Sequence, residues 1–146
     1  MSATGTREEI RIGPLAIRFL LEGEASGGSV AVFEFDVPAG AHVPIAHSHD
    51  AYEETMYGLE GVLTWTVDGE RREVRPGEVL CIPRGVVHRI ENEGDVDARQ
   101  LAIVSPGVLG PDYFRDIAAV VGAAAGPPDP AAIGEVMRCH GLTPAP

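Results

Sequence analysis

Two histidines that stand one residue apart are the strongest sign of chemistry in this sequence. They are His47 and His49, and Glu53 and Glu54 follow them in the segment HSHDAYEETMYGLEG. In a β-strand, residues two apart share a face and lie about 7 Å apart, so both imidazoles project the same way. Two neutral imidazoles can bind one metal ion, and a carboxylate adds charge neutralisation. Binding a cation would explain titratable side chains in a segment that otherwise has the pattern of a buried strand.

A third histidine, His88, follows a Pro-x-Gly turn in the segment GEVLCIPRGVVHRIEN. A single histidine on a strand is more often packed or hydrogen-bonded than bound to a metal. The His-x-His pair alone also leaves a structural interpretation open. The wider spacing of the two segments is therefore needed to choose between these interpretations.

The first two thirds of the chain have the pattern of short β-strands. Segments rich in Val, Ile, Leu, Phe and Thr are separated by Gly, Pro, Asp and Asn, which is typical of an antiparallel sandwich or barrel. Asp68-Gly69 predicts a hairpin, because both residues tolerate the positive φ angles of a tight primed turn. The segment SVAVFEFDV alternates in hydrophobicity, with Val32 and Phe35 among its apolar positions, but Phe33 interrupts the strict period of two.

After Pro106 the pattern becomes helical. Pro111 suits the first turn of a helix, and apolar residues recur at helical spacing at Phe114, Ile117, Ala118 and Val121. Asp129 as N-cap and Pro130 at the first helical position predict a second, short helix, with Gly141 as its C-cap.

The spacing of the two histidine segments resembles that of the cupins. In the first cupin motif, a glycine, His-x-His, a glutamate and a second glycine follow one another; here they are Gly40, His47, His49, Glu54 and Gly61. The step from Glu54 to Gly61 fits, and Glu53 would leave one residue too many. One departure is that the gap between Gly40 and His47 is one residue longer than usual.

The second cupin motif matches at every fixed position. Its residues here are Gly77, Pro83, Gly85, His88 and Asn92. The resemblance implies turns at the two glycines, a proline that stiffens the turn before His88, and a structural role for Asn92 at a strand end.

The resemblance also implies the fold class and the domain organisation. We expect an all-β cupin jelly-roll (double-stranded β-helix) barrel over about residues 7–106, with a C-terminal α-helical segment over about residues 110–142. Residues 1–146 would form a single cupin domain. A homodimer is expected, for which the segment EEIRIG offers an edge strand.

Carried over residue by residue, the metal ligands are His47, His49, Glu54 and His88, while Glu53 faces solvent or a partner subunit. Three imidazoles and one carboxylate leave one or two coordination positions open, which is the mark of a catalytic site. One divalent transition-metal ion is expected, and the ligands suit Fe, Mn, Ni, Co and Zn. Glu54 is the expected catalytic residue, as ligand and proton acceptor. We interpret Cys81 as a core residue rather than a ligand.

Several further residues are candidates for lining a substrate cavity, although the strand register that decides this is not fixed by the sequence. They are Phe33, Phe35, Met56, Trp65, Ile90 and Gln100. Tyr113, Phe114 and Met137 are expected to act as lid or packing residues.

Three functions are compatible with these residues. The first is a metal-dependent dioxygenase of the quercetin-dioxygenase-like cupins, acting on a small aromatic, flavonol-like or diketone-like substrate bound to the metal. The second is a non-redox isomerase, lyase or cyclase that uses the metal as a Lewis acid. The third is a non-catalytic protein that binds a small ligand, because one fold hosts many functions.

Composition narrows the range of partners. The 146 residues carry a net charge of -11, which disfavours nucleic acid and anionic membranes. The two cysteines, Cys81 and Cys139, are expected to be free thiols in a reducing cytosol. The first residues, MSATGTREEIRIG, show no secretory signal, so we expect a cytoplasmic protein.

Overall fold

The computed structural model describes residues 7–43 and 45–146. In chain order, the elements are β1 (Ile10–Ile12), β2 (Leu15–Leu21), β3 (Ala31–Val37), β4 (His47–His49), β5 (Glu53–Glu60), β6 (Leu63–Val67), β7 (Glu70–Val74), β8 (Val79–Ile82), β9 (His88–Glu91), β10 (Ala98–Ser105), α1 (Pro111–Ala123), α2 (Pro130–Cys139) and β11 (Leu142–Pro144). A short 3₁₀ turn covers Gly23–Ser26.

The strands form two antiparallel sheets. One has the order β1-β2-β3-β10-β5-β8 and the other the order β11-β4-β9-β6-β7. Phe35 of the first sheet packs edge-on against Trp65 of the second, with ring centroids 6.2 Å apart. The cupin jelly-roll prediction is thus confirmed in its antiparallel strands and its two helices. The barrel is confirmed only in part, because no strand pairing within residues 7–43 and 45–146 joins the two sheets into one closed cylinder.

The alternation on β3 differs from the prediction. Ala31, Phe33, Phe35 and Val37 are buried, and the residues between them are only partly buried. Phe33 therefore keeps the strict period of two, and Val32 is the apolar residue that faces the other way. A strand in which both faces carry apolar residues does not reveal its inner face from hydrophobicity alone.

Two buried side chains between the sheets are linked by hydrogen bonds. Trp65 Nε1 donates to Gln100 Oε1 at 3.0 Å, and Gln100 Nε2 donates to the backbone carbonyl of Val74 at 3.0 Å. Because an unpaired buried polar group is costly, these hydrogen bonds fix the position of the Trp65 indole inside the fold.

On the outer face of the first sheet, Asp36 of β3 joins its two neighbouring strands. Arg18 of β2 donates to its carboxylate at 2.8 and 3.0 Å, and Arg99 of β10 donates at 2.9 Å. Burial alone would raise the pKa of Asp36, but hydrogen bonds from the two guanidinium groups lower the pKa below its usual value.

Both helices begin where the sequence predicts. Pro111 opens α1, and the Asp129 side chain accepts a hydrogen bond from the Ala131 amide at 3.0 Å as the N-cap of α2. α1 packs on β1 and α2, and α2 also packs on β11. Neither helix of the described residues has the length and hydrophobicity that crossing a membrane requires.

Cys81 is not a core residue, so that prediction was wrong. Its side chain is exposed, as is that of Cys139, and both are free thiols. β8 lies at the edge of its sheet, where Ile82 points inward opposite Glu54, and Cys81 pairs with Thr55 on the other face. The one-residue alternation of a strand thus turns Cys81 to solvent.

Candidate metal centre

Three histidines converge between the two sheets. His47 and His49 lie on β4, and His88 begins β9, where it pairs in register with His47. The ring centroid of His88 lies 4.7 Å from that of His47 and 4.5 Å from that of His49. One nitrogen from each ring lies within 4.8 Å of the other two. Three imidazole nitrogens this close together could serve as ligands of a single cation.

Backbone carbonyls orient two of these rings. His47 Nδ1 lies 3.1 Å from the Ile45 carbonyl oxygen, and His88 Nδ1 lies 2.9 Å from that of Val86. A carbonyl only accepts, so each Nδ1 carries the hydrogen and each Nε2 keeps a free lone pair. Hydrogen bonds of this kind fix the tautomer and direction of metal-binding histidines.

Glu54 borders the histidine cluster without belonging to its tightest group. Its Oε1 lies 3.9 Å from His88 Nε2 and 4.0 Å from His49 Nε2. The residue is buried, and it approaches the histidines from β5 of the opposite sheet. The structure therefore brings all four predicted ligands together, with Glu54 as the outermost of them.

Neighbouring Glu53 has the opposite orientation. Its carboxylate accepts hydrogen bonds from Arg84, one of them from Nη2 at 2.9 Å, at the protein surface. The Gly85 amide beside Arg84 donates to the His49 carbonyl at 2.8 Å. The Pro83–Gly85 turn that precedes His88 is thus tied both to β5 and to β4.

Asn92 has the structural role that the sequence predicts. Its side-chain amide donates to the carbonyls of Val37 and Val96 at 2.9 and 2.8 Å, and its oxygen accepts from the Gly94 amide at 3.0 Å. It therefore holds the end of β9 against the end of β3.

Burial controls protonation in the cluster. Desolvation, reinforced by the neighbouring imidazoles, lowers the pKa of His47 to about 3 and that of His49 to about 2. Desolvation also lowers the pKa of His88 and raises that of Glu54 to about 7. All three imidazoles are neutral at physiological pH, which is the form that binds a metal.

Three buried polar atoms have no hydrogen-bond partner among the described residues: His49 Nδ1, His88 Nε2 and Tyr52 Oη. Tyr52 stacks on His49 with centroids 4.4 Å apart. An unpaired acceptor such as His88 Nε2 is costly to bury, and a cation would satisfy it. The donor set therefore fits a divalent transition metal. Tyr52 was missed at the sequence level, because a tyrosine three residues after His49 has no distinctive spacing.

The cluster lines an apolar cavity of about 100 Å³, here called the inner cavity. Of the predicted lining residues, Phe33, Phe35, Trp65 and Ile90 lie on its wall. Met56 and Gln100 do not; both are buried elsewhere in the core, Gln100 beneath Trp65.

The two ends of the chain complete the wall of the inner cavity. Tyr113, Phe114 and Met137, which were expected to be lid or packing residues, line it. The residues that sequence reasoning missed include Ile12, Leu15, Ile17, Val37, Val43, Leu109, Ile117, Ile133 and Leu142. Nothing in their local spacing distinguishes them from ordinary core residues.

Comparison with known proteins agrees with this geometry. The sequence profile of the Cupin_2 family, described as a cupin domain, matches residues 33–104. The chain is 25% identical over 114 residues to quercetin 2,3-dioxygenase of Bacillus subtilis, which covers 78% of this chain and 33% of that protein. It is 37% identical over 83 residues to the tetracenomycin polyketide synthase protein TcmJ of Streptomyces glaucescens, covering 56% of each. The chain thus spans a third to just over half of these two relatives.

Among solved structures, the chain is similar to a predicted oxalate decarboxylase from Thermotoga maritima. The TM-score is 0.62 at 26% identity, and the match covers 69% of this chain and 92% of that one. The strands β4 to β9 and the histidine cluster fall within the family match, whereas β1, β2, β11 and both helices lie beyond it.

Proposed function

Because this chain belongs to the cupin superfamily, we propose that it is a metal-dependent enzyme whose ion is held by His47, His49, His88 and Glu54. The support is the convergence of three neutral imidazoles with a buried carboxylate beside them. A bound divalent ion would supply Lewis acidity and, if it is redox-active, a route for electrons between substrate and dioxygen.

The reaction that we favour is a dioxygenase reaction on a small planar aromatic, flavonol-like or diketone-like substrate. One observation carries this choice: the histidine cluster lines the same cavity as Phe33, Phe35 and Trp65. Such walls fit an aromatic ring, and the few polar groups among them would fix its orientation. The similarity to quercetin 2,3-dioxygenase supports the same choice, since quercetin is a flavonol.

The side chains of the site have separate roles in this proposal. The aromatic walls hold the substrate ring and exclude water. Glu54, 3.9 Å from His88 Nε2, accepts the proton of the substrate hydroxyl, so that an enolate forms where the three imidazoles converge. The carbonyls of Ile45 and Val86 keep His47 and His88 in position during the reaction.

A second candidate is a non-redox cyclase, isomerase or lyase that uses the same four residues. The similarity to a polyketide synthase protein favours it, and it needs only a Lewis acid and a base. Substrate conversion under strictly anaerobic conditions would support this candidate and contradict the dioxygenase.

The test is to load the purified protein separately with Fe, Mn, Ni, Co and Zn and to measure oxygen consumption with flavonols and β-diketones. Stoichiometric uptake of dioxygen with product formation would support the dioxygenase. Binding without conversion in air or under nitrogen would contradict both enzymes and favour a non-catalytic ligand-binding protein.

A homodimer and a cytoplasmic location also stay proposals. β1 lies at one edge of its sheet and pairs only with β2 among the described strands, so it offers backbone groups to a second copy. Light scattering at micromolar concentration tests the dimer, and a monomer mass would contradict it.

A further inference from the structure

A second cavity adjoins the inner cavity and is not lined by any of the three clustered histidines. This outer cavity measures about 450 Å³. It is bordered by the Gly13–Pro14 turn, by the loop of Gly40, Ala41 and His42, and by Pro127 and Pro128 between the two helices. Val121 of α1 forms part of its wall.

Three residues are shared by the two cavities. Ile12, Leu15 and Ile133 line both of them and form the partition between the inner and the outer space. All three side chains are aliphatic, and they come from β1, β2 and α2, near the two ends of the chain. A change of side-chain rotamer moves such a partition without breaking a hydrogen bond.

The sizes of the two cavities limit what the site accepts. Pockets for small organic ligands usually measure about 300–1,000 Å³. The inner cavity, at about 100 Å³, is smaller than this range, but the two cavities together lie within it. A compact diketone fits beside the histidines, whereas a flavonol needs space beyond the partition.

We propose that the outer cavity is a substrate subsite: it binds the distal ring of an elongated aromatic substrate whose oxygen-bearing end lies beside the three histidines. This inference rests on the proposed function, and it adds the substrate class. The substrate displaces Ile12, Leu15 and Ile133 and extends through both cavities. The outer cavity thereby selects long planar molecules over compact ones.

His42 gives the subsite a polar position. Among the described residues that line the outer cavity, it is the one with a hydrogen-bonding side chain, and it is exposed. A hydroxyl group on the distal ring would pair with its imidazole. The preferred ligand is therefore a planar aromatic molecule with a hydroxyl at the end remote from the metal.

The test measures binding of two probes to the metal-loaded protein by titration calorimetry. The elongated probe is 3-hydroxyflavone and the compact probe is acetylacetone. Val121→Trp fills the outer cavity, and we expect it to weaken flavone binding by about tenfold or more, with a much smaller effect on acetylacetone. Ala119→Trp is the matched control, because Ala119 is exposed on the same helix and lines neither cavity.

A second comparison tests the polar position. His42→Ala should weaken binding of quercetin, which carries distal hydroxyls, more than binding of 3-hydroxyflavone, which lacks them. Thermal melts of each variant show whether the fold is intact, and Val121→Ala provides a second variant that enlarges the outer cavity and should retain flavone binding.

The outcomes separate this inference from the proposed function. If Val121→Trp changes binding of neither probe, or of both equally, the outer cavity is not a subsite, while the metal site is untouched. If the unaltered metal-loaded protein binds neither probe, the proposed function fails and the subsite fails with it.

Discussion

At the scale of single residues, the chemistry depends on which way adjacent side chains point. Glu53 and Glu54 are neighbours, yet Glu53 pairs with Arg84 at the surface and Glu54 lies beside His49 and His88. Because side chains alternate along β5, Glu53 points outward and forms an ion pair, whereas Glu54 points inward to the site.

This pair of neighbours gives a matched prediction. Glu54→Gln should retain bound metal, because three imidazoles remain, but should lower kcat about 100-fold or more, because the amide does not accept the substrate proton. Glu53→Gln is the control and should keep most of the activity. Metal content by elemental analysis and steady-state kinetics provide the measurements. Equal losses in the two variants would contradict the role given to Glu54.

The four side chains of the candidate centre could be predicted from the resemblance to the two cupin motifs, each of which is short-range in sequence. His47 and His49 share a strand, and the Pro83–Gly85 turn precedes His88 directly. Cys81 was misplaced because it lies on a strand whose inward face depends on register with a neighbour, and local hydrophobicity does not determine that register.

At the scale of elements, the two helices do more than cover the sheets. α1 supplies Tyr113 and Phe114 to the inner cavity, and α2 supplies Ile133 and Met137. Their positions along the chain could be predicted from Pro111, Asp129 and Pro130. Their contribution to the site could not, because it depends on how α1 packs on β1, which lies far away in sequence, and on how the two helices pack together.

The N-cap of α2 gives a prediction at this scale. Asp129→Ala removes the acceptor for the Ala131 amide, and we expect a loss of about 0.5–2 kcal/mol in the free energy of unfolding. Urea unfolding measures the change. The control is Asp95→Ala, at an exposed loop position, which should stay within about 0.5 kcal/mol of the unaltered protein. An unchanged midpoint for Asp129→Ala would show that the cap contributes nothing.

At the scale of the whole molecule, the centre should couple metal binding to stability, because the proposed ligands come from β4, β9 and β5. A ligand that binds only the folded state stabilises it by about 2.7 kcal/mol at one hundred times its dissociation constant. We therefore expect Tm to rise with added divalent metal and to fall again with a chelator. His49→Ala should lose most of this response. A metal-induced rise in Tm of equal size in that variant would place the binding site elsewhere.

The outer face of the first sheet gives a prediction for acid stability. The folded state lowers the pKa of Asp36, so the unfolded chain binds a proton more readily than the folded one. The stabilisation is present above the ordinary aspartate pKa of about 3.9 and is lost as the pH falls through the lower folded value. Asp36→Asn, which does not titrate, should lose less stability than the unaltered protein on acidification.

Urea unfolding at about pH 6 and about pH 3 measures this difference. Asp95→Asn serves as the control, since that carboxylate is in an exposed loop and is not part of the Arg18–Asp36–Arg99 network. A pH dependence in Asp36→Asn as steep as that of the unaltered protein would mean that other carboxylates determine acid unfolding.

The proposed metal ligands and much of the cavity wall come from different segments of the chain, which has a consequence for how such proteins diversify. The proposed metal ligands come from the middle of the sequence, between His47 and His88, whereas much of the wall around them comes from the first twenty described residues and from residues after Val108. We therefore expect mutations near either terminus to change ligand choice with little effect on metal affinity. Grafting the terminal segments of one protein onto the central segment of another would transfer the preference for a ligand separately from the reactivity at the metal site.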